Sequence, residues 1–387
     1  MRSETRGVET HRYRSYVIRA WGADPGSETV ARVVVEEVRS GLQVEMRGEP
    51  AVTLNQTISA ALARRREPAE TAGEGRYVDE DEETRMILVV GATGLVGGEI
   101  CRRLAATGRQ ARALVRETAA ADRVAGLRKL GVETIVGALQ DRASLDAACR
   151  GVSAVITTVS SVPFSYLPGE NDIRITDTDG AMRLIDAAAA AGVEHFTYTS
   201  FSINLAIPTP LLDAKRSVER YLVDSGLHYT ILRPSCFMEV WLGPAVGFDA
   251  SNAKATIYGD GIRPISWIAA ADVAEFAIRS LDAAAARDTV LELGGPDALS
   301  PLDAVRIFEH VGGRAFEVQH IPVEALKAQQ DAATDPMAQT LAGLMQCVAL
   351  GDRIEMEATL RAIPVPMTTV RDYASALVGE LRSPVGP

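Results

Sequence analysis

The sequence predicts an α/β chain: a doubly wound parallel sheet with a smaller C-terminal lobe, preceded by a small β-rich N-terminal module. Three observations carry this expectation. Met86–Val90 is an unbroken apolar run that leads directly into three glycines spaced three apart, Gly91, Gly94 and Gly97. From there to Pro234 strand-length apolar runs alternate with helix-length amphipathic stretches, the order of a parallel sheet with crossover helices. Before it, short runs rich in β-branched and aromatic residues are punctuated by glycine.

Taken in order, residues 1–66 read as an accessory module. Tyr16–Trp21, Ala31–Val38 and Gln43–Met46 have strand composition, broken by Gly22, Gly26 and Gly41, and Leu54–Arg64 has helical spacing. Residues 67–85 turn to Glu, Pro, Gly and Ala and end in the acidic run Asp79–Glu83, so they bury no core and read as a linker. Residues 86–240 carry strands expected at 86–90, 111–115, 132–136, 153–158, 194–199 and 228–232, with the clearest helix at Ala181–Ala191. Residues 241–387 form the C-terminal lobe, integrated with the sheet. Shorter strands are expected there near 255–258, 264–268 and 289–293, and helices near 271–281, 301–311 and 337–349.

Strand, glycine turn and helix at 86–104 follow in the order that a dinucleotide pyrophosphate requires. Gly91 permits the sharp turn, Gly94 lets backbone approach the anion, and Gly97 lets the helix carrying Val96, Ile100 and Leu104 pack closely on the strand. The positive helix N-terminus then faces the phosphates. About twenty residues on, such folds place an acid when the cofactor ribose carries a free 2′-hydroxyl. Here Arg116 stands at the end of the second strand, and a guanidinium suits a 2′-phosphate, so NADPH/NADP is expected over NADH. The neighbouring Glu117 is the group that would favour NADH.

Composition limits the alternatives. At 387 residues and 47% apolar the chain can hold two or three domains, and its net charge of -11 argues against nucleic acid or anionic lipid as partners. Cys101, Cys149, Cys236 and Cys347 lack zinc-ribbon or redox spacing and sit among apolar neighbours, which fits reduced thiols and a cytoplasmic setting. No secretory leader and no membrane span is read from the sequence. The five histidines are scattered, so no metal site is expected, and Ser200 lacks the surroundings of a nucleophile elbow.

Several segments together resemble the NmrA-like branch of the atypical short-chain dehydrogenase/reductases, over about residues 86–380. They are Gly91–Gly97, Ala113–Arg116, Ala189–Ser200, Asp224–Ser235 and Leu293–Pro296. The resemblance implies a Rossmann sheet with a smaller C-terminal lobe, and either an NADPH-dependent reductase or a non-catalytic redox sensor. Carried over by position, it makes Thr93, Gly94, Leu95 and Val96 the pyrophosphate contacts and Arg116 the 2′-phosphate contact. Ala138 and Leu139 become adenine contacts, although the family often has Asp where this chain has Ala138. Thr158, Val159 and Ser160 form the wall beside the nicotinamide ribose.

Most enzymes of that superfamily use a Tyr four residues before a Lys, the phenol donating a proton as hydride arrives. Here Lys215 is retained but Leu211 stands where the tyrosine would be. Only four lysines accompany 36 arginines, so a lysine at 215 marks a place where a compact ammonium is wanted. Lys215 is the first candidate acid and a nicotinamide ribose contact. Ser200, Ser202, Tyr166 and Tyr198 are further candidate donors, with Tyr198 read as core. His195 and His228 read as structural. Phe237, Met238 and Trp241, which follow Arg233-Pro234, are expected as an apolar substrate wall, with core packing as the alternative. The first expectation is therefore a reductase of a carbonyl, quinone or activated double bond in a small apolar molecule. The alternative is an NADP(H)-binding regulator that meets a protein partner, or itself, through residues 1–66.

Overall fold

The computed structural model describes residues 85–162 and 165–382, and before them four strands, β1 (Val8–Tyr13), β2 (Tyr16–Gly22), β3 (Val30–Glu37) and β4 (Gln43–Arg47). These four pair antiparallel in sequence order. The helix expected at Leu54–Arg64 and the acidic linker lie outside the described residues. The chain divides into two compact units, Met1–Val78 and Asp79–Pro387.

The larger unit is built on a seven-stranded sheet. Its strands are β5 (Ile87–Val90), β6 (Ala111–Val115), β7 (Glu133–Val136), β8 (Ala154–Thr157), β9 (His195–Thr199), β10 (His228–Pro234) and β13 (Thr289–Leu293). They lie in the order β13-β10-β9-β8-β5-β6-β7, every neighbouring pair parallel. The chain runs outward from β5 through β6 to β7 and then returns to place β8 on the other side of β5. That reversal leaves a crevice at the carboxyl ends of β5 and β8, where such sheets bind ligands.

Both faces of the sheet are covered, which is why its strands read as continuous apolar runs. Ile87 and Val89 face one core with Ile100 and Leu104 of the helix Leu95–Ala106 and Val273 and Phe276 of the helix Ala270–Arg279. Leu88 and Val90 face the other, with Leu145, Leu184, Ile185 and Val218 from the helices Arg142–Cys149, Ala181–Ala190 and Pro210–Asp224. A third core in the C-terminal lobe gathers Phe248, Ile257, Trp267 and Phe308. There β11 (Phe248–Asp249) and β14 (Glu317–Ile321) flank β12 (Lys254–Tyr258).

Three differences from the sequence reading concern this lobe. Residues 289–293 are not a lobe strand but the edge of the main sheet, beside β10. Residues 264–268 form no strand: Ile265 makes single bridges to Leu299 and Asp352, and Ile268 one to Phe237. β14 went unread because Glu317–Ile321 is half exposed and carries no apolar run.

Candidate active site

A cavity of 1460 Å³ opens at the carboxyl ends of β5, β8, β9 and β10. A drug-sized ligand needs about 300–1,000 Å³, so a dinucleotide and a second molecule can share this space.

The turn after β5 forms one wall. Gly91 has φ +90, and a Cβ there would lie 2.7 Å from Thr158 Oγ1, so only glycine lets the turn close on the end of β8. The Gly94 N–H donates to Gly91 O at 2.9 Å. Gly94 is also the N-cap of the helix Leu95–Ala106 and supplies no side-chain cap. The first N–H groups of that helix are thus left for an anion. A Cβ on Gly97 would sit 2.2 Å from Gly91 O, which fixes how closely helix and turn pack. Thr93, Leu95 and Val96 line the cavity beside Gly91 and Gly94; Gly97 lies behind them, not on the lining.

Arg116 and Glu117 follow β6, exposed and both on the cavity. Sequence reasoning missed Arg123, seven residues on, in the helix Ala121–Lys129. It also lines the cavity, and its guanidinium donates to Thr93 O at 2.5 Å, so a second cation reaches the glycine turn. Ala138 and Leu139 line the same end. Ser144 Oγ accepts from the Ala138 N–H at 3.1 Å, which holds that loop to the helix Arg142–Cys149.

Thr158, Val159 and Ser160 extend from β8 along the middle of the cavity. Across from them is Lys215, on the helix Pro210–Asp224 and only 2% exposed. Its Nζ donates to Val159 O at 2.7 Å and lies 3.5 Å from Thr199 O and 3.4 Å from Asp177 Oδ1. Burial pushes the ammonium below its ordinary pKa, and the Asp177 charge opposes that. Leu211, one turn earlier, is buried among Val162, Ile173 and Ala214, so the place of the expected tyrosine is filled by hydrocarbon.

The other candidate donors separate. Ser200 lines the cavity, with its Oγ 3.4 Å from Arg216 Nη1. Ser202 is fully buried and donates to Asp352 Oδ1 at 2.7 Å. Tyr166 is not on the lining; its hydroxyl donates to Asp335 Oδ1 at 3.2 Å, at the start of the helix Pro336–Leu350. Tyr198 is 2% exposed in the core, where burial raises its phenol pKa well above the usual range. His195 is buried against Thr230, and His228 pairs with Asp288 away from the cavity.

Beyond Lys215 the lining is mostly apolar. Phe237 and Trp241 line it, but Met238 is fully buried in the lobe core. The reason is helical spacing: residues 237 and 241 share one face of the turn and 238 points away. Leu341, Leu344, Met345 and Val348 come from the helix Pro336–Leu350, a contribution that no motif announced. Glu239 also borders the space, its carboxylate accepting from the Ala270 N–H at 2.9 and 3.1 Å. Among the described residues no group of three His, Cys, Asp or Glu is arranged to hold a metal.

The family model described as the NmrA-like family matches residues 83–374. The (4-alkanoyl-5-oxo-2,5-dihydrofuran-3-yl)methyl phosphate reductase of Streptomyces griseus is 33% identical over 247 residues, covering 62% of this chain and 79% of the relative. The photosystem II assembly factor Ycf39 of Trieres chinensis is 27% identical over 242 residues, covering 62% of this chain and 73% of its own. Among solved structures, the NADPH complex of the quinone oxidoreductase QOR2 from Escherichia coli superposes with a TM-score of 0.61 at 26% identity, covering 76% of this chain and 99% of that one.

Proposed function

The chain belongs to the NmrA-like family, and on that premise we propose that it is an NADPH-dependent reductase that transfers hydride to a carbonyl, quinone or activated double bond of a small apolar molecule. The observation that carries this reading is one continuous cavity with a glycine-turn anion cradle at one end, Lys215 at its middle and an apolar chamber beyond. NADPH-linked relatives support it.

The cradle fits a dinucleotide. Its glycine positions are ones a Cβ would fill, and the helix that begins at Gly94 leaves its N–H groups uncapped. In this reading Gly91, Thr93, Gly94, Leu95 and Val96 hold the pyrophosphate, with Gly97 setting the helix behind them. Arg116 and Arg123 clamp the 2′-phosphate. Ala138 and Leu139 face the adenine, and Thr158, Val159 and Ser160 the nicotinamide ribose. When bound, NADPH supplies hydride. Lys215 Nζ holds the proton that the reduced group takes up, and the Val159 carbonyl fixes where that ammonium points. Phe237 and Trp241, with the helix Pro336–Leu350, exclude water from the reacting end. Tyr166 and Met238 have no part in this chemistry.

The same reading treats residues 1–66 as an accessory unit on a 67–85 tether, a candidate surface for a protein partner or self-association. The four described cysteines are free and buried, in keeping with a cytoplasmic setting. No helix among the described residues is long and apolar enough to cross a membrane. A second reading, a non-catalytic NADP(H) sensor, is favoured by Leu211 in place of the tyrosine and by likeness to an assembly factor. NADPH consumption by the full chain against quinones, enones and aldehydes separates the two. Turnover that falls at least about tenfold in Lys215→Arg supports the reductase; binding without turnover throughout supports the sensor.

A further inference from the structure

Asp177 is a charged group that the cofactor and substrate contacts leave without a use. It is 1% exposed and sits on a π-helix, Ile173–Gly180, between the wall loop and Lys215. Its Oδ2 accepts from the Ser161 N–H at 3.0 Å and the Ser161 hydroxyl at 2.6 Å. Its Oδ1 has no hydrogen-bond partner and lies 3.4 Å from Lys215 Nζ. The π-helix is closely fitted: a Cβ on Gly180 would lie 2.6 Å from Ile175 O and 2.7 Å from Leu139 Cβ. Such wide turns are frequent at functional sites.

A buried ion pair adds little stability over apolar residues of the same shape, because removing both charges from water offsets their attraction. The pair at 177 and 215 is therefore explained better by what it does to the lysine. We propose that Asp177 is a positioning residue for Lys215, whose carboxylate keeps the buried ammonium charged and ties it to the loop Thr158–Ser161 so that Nζ presents its proton to the cavity. This rests on the reductase reading for the use of the proton, though not for the pairing.

The other groups around Lys215 do not duplicate Asp177. Glu219, one turn along the same helix, is engaged by Arg216 at 2.5 Å and Arg233 at 2.5 Å. At the start of the π-helix, Asp172 caps it by accepting from the Ile175 N–H, and on it Asp179 pairs with Arg174. From β9, Tyr198 offers its ring, with the centroid 5.2 Å from Nζ, and its hydroxyl has no partner. The wall loop supplies only the Val159 carbonyl. Burial lowers the lysine pKa and Asp177 is the largest opposing influence.

The test uses the isosteric variant Asp177→Asn in the full chain. Lysine side chains labelled with nitrogen-15 give few signals, since the sequence has four lysines. The Lys215 Nζ titration should fall by about one pH unit or more, a tenfold loss of proton affinity. With NADPH and menadione, the alkaline limb of kcat/KM should move down by the same amount while the NADPH KM stays within about twofold. Asp177→Glu, which keeps the charge, should leave the limb near its wild-type position. An unshifted Nζ titration in Asp177→Asn overturns the proposal, whereas absent turnover in the wild type counts against the reductase reading alone. If Asp177→Asn does not fold, Lys215→Met reports from the other side. Its unpaired carboxylate should take up a proton, so its melting temperature should gain on the wild type between about pH 8 and about pH 5; parallel curves would sink the pairing.

Discussion

Gly97 and Gly98 are neighbours in one helix, yet their replacement by alanine should have opposite effects. The nearest atoms to a Cβ on Gly97 would all be backbone: Gly91 O at 2.2 Å, Gly91 C at 2.6 Å and Ala92 Cα at 3.0 Å. Carbon contacts settle near 3.5 Å, so the helix Leu95–Ala106 must back away by about 1 Å. Overpacking of this kind costs about 1–3 kcal/mol, or a fall of about 5 °C in Tm for a body of this size. The uncapped N–H groups move with the helix, and loss of one or two hydrogen bonds to the pyrophosphate weakens NADPH by about tenfold or more. A Cβ on Gly98 meets only Ala92 O, at 3.4 Å, an ordinary contact. There alanine gains about 1 kcal/mol of helix propensity. Differential scanning fluorimetry and NADPH fluorescence titration on the two variants read both quantities. Equal Tm and NADPH affinity in Gly97→Ala and wild type would refute the packing argument.

Two further predictions address cofactor choice and acid stability. Arg116→Ala should weaken NADPH by about ten- to a hundredfold, the worth of a charge-assisted hydrogen bond of about 1.5–3 kcal/mol, and leave NADH nearly unchanged; isothermal titration showing equal losses for both would remove Arg116 from the 2′-phosphate site. Burial lowers the His195 pKa from 6.5 to about 4, and because the Thr230 hydroxyl donates to Ala286 O at 2.8 Å, His195 Nε2 must carry the hydrogen between them. The unfolded chain takes up a proton that the native histidine refuses, so stability is lost as pH falls from 6.5 toward about 4, by up to about 3 kcal/mol. Denaturant melts of His195→Gln should lack that part of the slope, and curves that run parallel to wild type across the window would contradict it.

How much of this was legible in the sequence follows from how each part is buried. β5, β6, β8, β9 and β10 are covered on both faces, so each is an apolar run that announces itself. The glycine turn was equally readable, because a turn that closes on the end of β8 and on its own helix leaves glycine as the only fit. Arg116 could be placed by its distance from that turn. Arg123 could not, since a surface arginine on an amphipathic helix looks like any other; its donation to Thr93 O is a tertiary fact. Asp177 was hidden for a related reason. Thr176–Gly180 reads locally as a polar turn, and only the fold turns its carboxylate inward beneath Lys215. Met238 lies one helical step from Phe237 and so turns into the lobe core, and the Tyr166 hydroxyl is turned to Asp335 by a contact 169 residues away that no local pattern shows. The helix Pro336–Leu350 reads as plain core, and nothing local marks the face it gives to the cavity.

Hydride transfer from NADPH is the step that most directly separates a reductase from a cofactor sensor. Full-length protein given NADPH deuterated on the nicotinamide ring, with menadione, an enone and an aldehyde in turn, should yield a reduced product, and with the enone or aldehyde the product should carry the label on carbon by mass spectrometry. Tight NADPH binding with no reduced product and no label from any acceptor would contradict the reductase and leave a cofactor sensor in its place.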